Sequence, residues 1–116
     1  MSSTGKAALN IGGRTIHSVC PTSLLSSQKS YNKCDVNKCQ QALWEVKLVI
    51  IDECSMSGLK MLGQVSETFQ AVNCNYEDPM GGVHYILLGD LFQLDPVQDT
   101  QMFKESAKGV KQYWNF

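Results

Sequence analysis

Two carboxylates stand side by side at Asp52-Glu53, directly behind the apolar run Leu48-Val49-Ile50-Ile51. An acidic pair at the tip of a buried strand can divide the work of phosphate chemistry. One carboxylate holds Mg²⁺, usually through water, while its neighbour polarises an attacking water. Asp52 suits the first role and Glu53 the second. The same string also has a plainer reading, because many strands end in acids that favour the start of the next helix. A second run, Val83-His84-Tyr85-Ile86-Leu87-Leu88, ends in Gly89-Asp90. It again carries an apolar strand to a polar tip, with glycine at the bend, and two acidic tips at one edge imply a cation.

Such groups need elements to hold them. The run ahead of Asp52 is short, β-branched and free of alternation, which predicts a strand buried on both faces, as in a parallel sheet covered by helices. Between the two runs, Leu59, Leu62, Val65, Phe69 and Val72 recur at steps of three and four, one face of an amphipathic helix. Ser55 or Ser57 is placed to cap its start. Strand, helix and strand in that order form a βαβ unit with parallel strands, so the fold class is α/β. Ligands of open α/β sheets gather at the carboxyl ends of the strands, which puts both polar tips on the binding edge. Upstream, residues 7–10 fit one short helical turn before Gly12-Gly13, and residues 23–37 read as an exposed polar loop. Residues 39–46 read as a further helix turning Ala42, Leu43 and Val46 inward. Gly81-Gly82 reads as a turn before the second strand, and the ending Tyr113-Trp114-Asn115-Phe116 calls for something to pack against.

With 116 residues, 43% hydrophobic and 18% charged, the chain has the size of one ordinary domain, which excludes a multidomain machine. Its longest apolar runs fall far short of the roughly 20 residues of a membrane-spanning helix, and no secretory signal opens it, so an intracellular protein is expected. Five cysteines make an odd set without the dense framework of a secreted mini-protein, and reduced thiols are the default. Cys34 and Cys39 touch zinc-ligand spacing, but no second pair follows at a finger-like distance. A cysteine-based metal or redox module is one reading of them. Charge is uneven: residues 1–47 hold six basic and two acidic side chains, net +4, whereas four against nine from Leu48 onward give −5. A basic front half suits phosphate, or simply a solvated surface.

Leu48 to Met56 (LVIIDECSM) and Gly82 to Val97 (GVHYILLGDLFQLDPV) resemble the Walker B motif and motif III of superfamily-one DNA helicases of the petite-integration-frequency type, which include Helitron transposon helicases. Thr4 to Ser18 (TGKAALNIGGRTIHS) is similar to their motif Ia. The three matches stand in the family's order and cover most of the chain outside residues 22–39 and the tail after Thr100. The resemblance implies a partial RecA-like P-loop NTPase domain over residues 1–116, truncated at both ends, with motif Ia at 4–18, Walker B at 48–56 and motif III at 82–97. It implies Asp52 on the Mg²⁺ side, Glu53 as general base or water-positioning residue, Gln93 as γ-phosphate sensor and Asp90 beside them toward ATP. Thr4, Gly5, Lys6, Thr15 and His17 would then line a track for single-stranded DNA. Lys6 departs from the small apolar residue usual there, which adds a phosphate contact or marks a diverged copy. The implied activity is ATP-dependent 5′-to-3′ unwinding in DNA repair, recombination and telomere maintenance, in the nucleus.

No stretch reads G-x-x-x-x-G-K-[ST]; Thr4-Gly5-Lys6 lacks the first glycine and the following Ser/Thr. The arginine finger and second motor domain of the family have no match either, so the chain alone is expected not to hydrolyse ATP. The alternative is a non-catalytic DNA-binding remnant of a transposon-derived helicase. Plainer roles stand beside the sharper ones. His17 also reads as an ordinary helix-end or buried histidine, His84 as structural, and Trp44 and Trp114 as packing residues before base-stacking platforms.

Overall fold

The computed structural model describes residues 1–20, 33–90, 92, 96 and 99–101. Helices α1 (Gly5–Asn10), α2 (Ile16–Val19) and α3 (Lys33–Leu43) precede strand β1 (Leu48–Ile51), and helix α4 (Leu59–Asn73) leads to strand β2 (His84–Leu87). Short 3-10 turns lie at Cys54–Met56 and Pro79–Gly82. The two strands pair in parallel, Leu48 opposite His84 through Ile51 opposite Leu87, so the expected βαβ unit forms. The chain start extends this sheet at one end: Ser2 bridges in parallel to both Thr15 and Asp52.

Periodicity placed α4 well. Leu59, Leu62, Val65, Phe69 and Val72 are all buried, and the last four meet Val49 and Ile51 of β1 and Cys39 and Leu43 of α3 in one core. Its cap is different from the one expected. Gly58 stands at the N-cap without a side-chain bond, while the Lys60 and Met61 amides donate to the two carboxylate oxygens of Asp99 at 3.2 Å. The Leu59 amide donates to the Thr100 carbonyl at 2.9 Å. Ser55 and Ser57 are drawn inward instead, both buried and with no partner for their hydroxyls among the described residues. After α4 the chain reverses through the turn at Pro79–Gly82, where Gly81 has φ +60° and an added Cβ would lie 2.5 Å from the Phe69 carbonyl oxygen. Only glycine satisfies both conditions, and the turn reading of Gly81-Gly82 stands.

Other expectations need correction. Among the described residues the strands are covered on one face only: Val49 and Ile51 are 3% and 1% exposed, but Leu48 is 48%, Ile50 42% and Ile86 45% exposed. Among the described residues α3 and α4 share the Val49–Ile51 side, so alternate residues of a continuously apolar run have no helix above them. Helix α3 begins inside the stretch read as a loop and stops at Leu43. Cys39 and Leu43, one turn apart, set its inward face, which leaves Ala42 exposed and Val46 half-buried beyond the helix end. Helix α1 starts two residues earlier than expected, because the Thr4 hydroxyl accepts the Ala7 amide at 3.3 Å and caps it. Trp44 is 62% exposed rather than packed. His84 is exposed on β2. Residues 22–32 and the ending 113–116, with Trp114, lie outside the described residues. No helix among the described residues is long and apolar enough to cross a membrane.

Candidate functional site

Backbone pairing around Ser2 assembles the site. The Asp52 amide donates to the Met1 carbonyl at 2.9 Å, the Ser2 amide to the Arg14 carbonyl at 3.1 Å, and the Ile16 amide to the Ser2 carbonyl at 2.9 Å. One residue therefore separates the acidic pair from the segment at Thr15. Adjacent strands lie about 4.8 Å apart, so the two groups sit within two such spacings of each other. Thr4 comes two residues after Ser2 and its hydroxyl reaches Glu53, so the start of α1 joins the same edge.

Asp52 and Glu53 are both half-buried. The Glu53 amide donates to Asp52 Oδ1 at 3.0 Å, which fixes one oxygen of the first carboxylate. Glu53 leaves the strand with φ 54° and ψ 43°, left-handed backbone that costs a side-chain-bearing residue roughly 1–2 kcal/mol. Strain of this kind at a strand tip is common where a side chain has to be aimed. Its carboxylate is held: Thr4 Oγ1 donates to Glu53 Oε2 at 3.2 Å. The second tip arrives alongside. The Leu88 amide donates to the Ile51 carbonyl and the Cys54 amide to the Leu88 carbonyl, each at 2.9 Å. A Cβ on Gly89 would lie 2.9 Å from Cys54 Sγ and 3.0 Å from the Cys54 nitrogen, so glycine is what lets β2 approach the acidic turn. Both polar tips share one edge, as the βαβ reading expected. Asp90 is exposed and its Oδ1 accepts the Phe92 amide at 3.0 Å. Gln93 lies outside the described residues.

Along the same edge Gly5, Lys6 and His17 are exposed, and Thr4 and Thr15 half-buried. Exposure removes the reading of His17 as a buried histidine; it sits in the first turn of α2, beyond Thr15, whose side chain does not cap that helix. Three features escaped sequence reading: the bridging role of Ser2, the Thr4–Glu53 bond and the Asp99 cap. The bond and the cap join residues 49 and 38 to 39 positions apart, a separation that leaves no local pattern.

The donor chemistry suits a magnesium nucleotide. Mg²⁺ prefers oxygen ligands and is typically bound by one or two carboxylates with water and substrate phosphates completing the shell. Asp52 and Glu53 supply such oxygens, and the orphaned hydroxyl of Ser55 lies in the turn that follows them. The cysteines differ. Burial pushes the Cys20 thiol up to about 11, and burial also raises Cys54, so both favour the neutral thiol over the thiolate that metals and disulfides require. Among the described residues no three His, Cys, Asp or Glu side chains converge as a metal cluster.

A family model described as PIF1-like helicase matches residues 1–113. The ATP-dependent DNA helicase PIF1 of Saccharomyces cerevisiae is 36% identical over 99 residues, covering 83% of this chain and 11% of that protein. The crystal structure of Pif1 helicase from Candida albicans superposes with a TM-score of 0.71 at 31% identity, over 90% of this chain and 25% of that one. The Bacteroides Pif1 helicase in complex with ADP-AlF3 and ssDNA gives 0.65 at 33% identity, over 84% of this chain and 23% of that one. The chain thus spans about a tenth of the yeast relative and about a quarter of each solved neighbour.

Proposed function

The chain belongs to the PIF1-like helicase family and shares its α/β, RecA-like fold, and from that premise we propose that it forms part of the motor of an ATP-dependent DNA helicase moving 5′-to-3′ on single strands. The observation that carries the proposal is the single edge on which Asp52 and Glu53 stand two sheet spacings from Thr15, with Ser2 between them. A motor must couple a phosphate reaction to a strand contact, and here the two sets of residues share one backbone ladder. Asp52 would hold Mg²⁺ delivered with ATP, which neutralises charge developing on the phosphates. Glu53 accepts the proton of the attacking water, Asp90 lies at the polar tip that follows β2, and Gln93 is assigned the part of γ-phosphate sensor. Thr4, Gly5, Lys6, Thr15 and His17 hold the DNA backbone through hydroxyl, amide and cationic donors. Residues 1–116 would be one part of a RecA-like domain, with the phosphate cradle and the second motor domain supplied by other polypeptide. The nucleus, and repair, recombination and telomere upkeep, are the setting we assign from the family's role.

The test joins this segment to a P-loop and a second motor domain. Glu53→Gln should retain nucleotide binding and lower ATP turnover by about a hundredfold or more, because the amide keeps the shape but accepts no proton. Asp52→Asn should weaken Mg²⁺-dependent nucleotide binding. Thr15→Ala with His17→Ala should weaken single-strand binding and leave basal turnover near the parent value. Parent turnover in both acidic-pair variants would make the pair structural and sink the nucleotide half of the proposal.

A further inference from the structure

The Thr4 hydroxyl does two jobs at once. Its oxygen accepts the Ala7 amide at 3.3 Å and its proton goes to Glu53 Oε2 at 3.2 Å. A threonine hydroxyl has one proton to donate. A phosphate oxygen is an acceptor only, so a DNA strand that takes a hydrogen bond from Thr4 must displace Glu53 Oε2, which now accepts it. We propose that single-stranded DNA and Glu53 compete for the Thr4 hydroxyl proton, so that strand binding frees the Glu53 carboxylate for the attacking water.

The inference deepens the helicase reading and rests on it. In the strand-free state the carboxylate is tied to the DNA-side segment, and the left-handed backbone at Glu53 brings it there. With Oε2 occupied by the Thr4 hydroxyl, the carboxylate is held away from the attacking water, so turnover stays low until DNA arrives. Thr4 is a positioning residue in this scheme: it acts on the reaction through Glu53. Linkage makes the competition reciprocal: if DNA displaces Glu53 from Thr4, removing the Glu53 carboxylate must strengthen DNA binding. That consequence needs no ATP and no cradle, so the 116-residue chain itself can test it.

The experiment titrates a fluorescently labelled oligo-dT single strand with the chain and reads anisotropy. Glu53→Gly is the variant of choice, because glycine adopts the left-handed backbone freely while losing the carboxylate. With Thr4 present, Glu53→Gly should tighten binding by about three- to tenfold, the worth of one net hydrogen bond. Thr4→Ser should preserve that gain, and Thr4→Val should abolish it. If Thr4→Val does not fold, Thr4→Asp repeats the comparison, since it caps α1 but has no proton to give. A gain of equal size in every Thr4 background would reduce the effect to lost charge repulsion and overturn the competition while leaving strand binding intact. No gain at all would overturn it in the same way. Failure of every version to bind the strand would overturn the DNA-side reading together with this inference.

Discussion

Cys20, the C-cap residue of α2, is fully buried, and burial pushes its thiol up to about 11 from an ordinary 9.0. The folded state therefore keeps a proton that the unfolded chain loses first. Stability from this group is complete below pH 9 and declines as pH rises from 9 through 11, by about 2–3 kcal/mol for a two-unit difference. Urea denaturation at pH 8, 9.5 and 10.5 measures the decline, and Cys20→Ala should flatten it relative to the parent. A slope unchanged by the substitution would place the alkaline loss in other groups. At this same scale the acidic pair was legible from sequence, since an apolar run that stops at Asp-Glu is a contiguous signal. The Thr4–Glu53 bond was not, because a side-chain contact across 49 residues is decided by the fold and leaves each residue looking ordinary in its own neighbourhood.

Helix α4 shows how an element's body and its ends obey different rules. Its apolar face repeats along the sequence and is readable there; its N-terminus is satisfied by Asp99 and Thr100, which arrive from beyond β2. Two serines nearby offered the usual capping chemistry, yet the 3-10 turn at Cys54–Met56 draws Ser55 inside. Asp99 also ties the segment after Gly89-Asp90 to the helix after Asp52-Glu53, so the two polar tips are fastened on both sides. Asp99→Ala should cost about 1 kcal/mol, the usual loss for a capping side chain, and Asp99→Asn should recover most of it. Hydrogen exchange at the Lys60 and Met61 amides reads the effect locally, with faster exchange in Asp99→Ala. Unaltered exchange there would show that the Thr100 carbonyl and solvent suffice to cap α4.

At the scale of the whole molecule, the described residues give the sheet one covered face and one open face. Parallel sheets are normally covered on both sides, and the run Leu48-Val49-Ile50-Ile51 has the composition of a strand that expects two covers. Among the described residues one cover is provided, by α3 and α4, and it takes Val49 and Ile51. Composition could predict the need for a second layer, but not which polypeptide supplies it. The chain spans 11% of the yeast relative, so its apolar demand and its own helices need not match. This asymmetry makes a graded prediction from neighbouring isoleucines of the same strand. In the 116-residue chain, Ile51→Val removes a methyl group from a site 1% exposed and should cost about 0.5–1.5 kcal/mol. Ile50→Val removes one from a site 42% exposed and should change stability by well under about 0.5 kcal/mol. Joined to polypeptide that lays helices over the open face, the same Ile50→Val should rise toward the cost of its neighbour, since the methyl group would then be buried too. Urea midpoints for both variants in both contexts measure this. Equal losses already in the 116-residue chain would mean that the Ile50 face is covered there, and the second layer would have to be sought within residues 1–116.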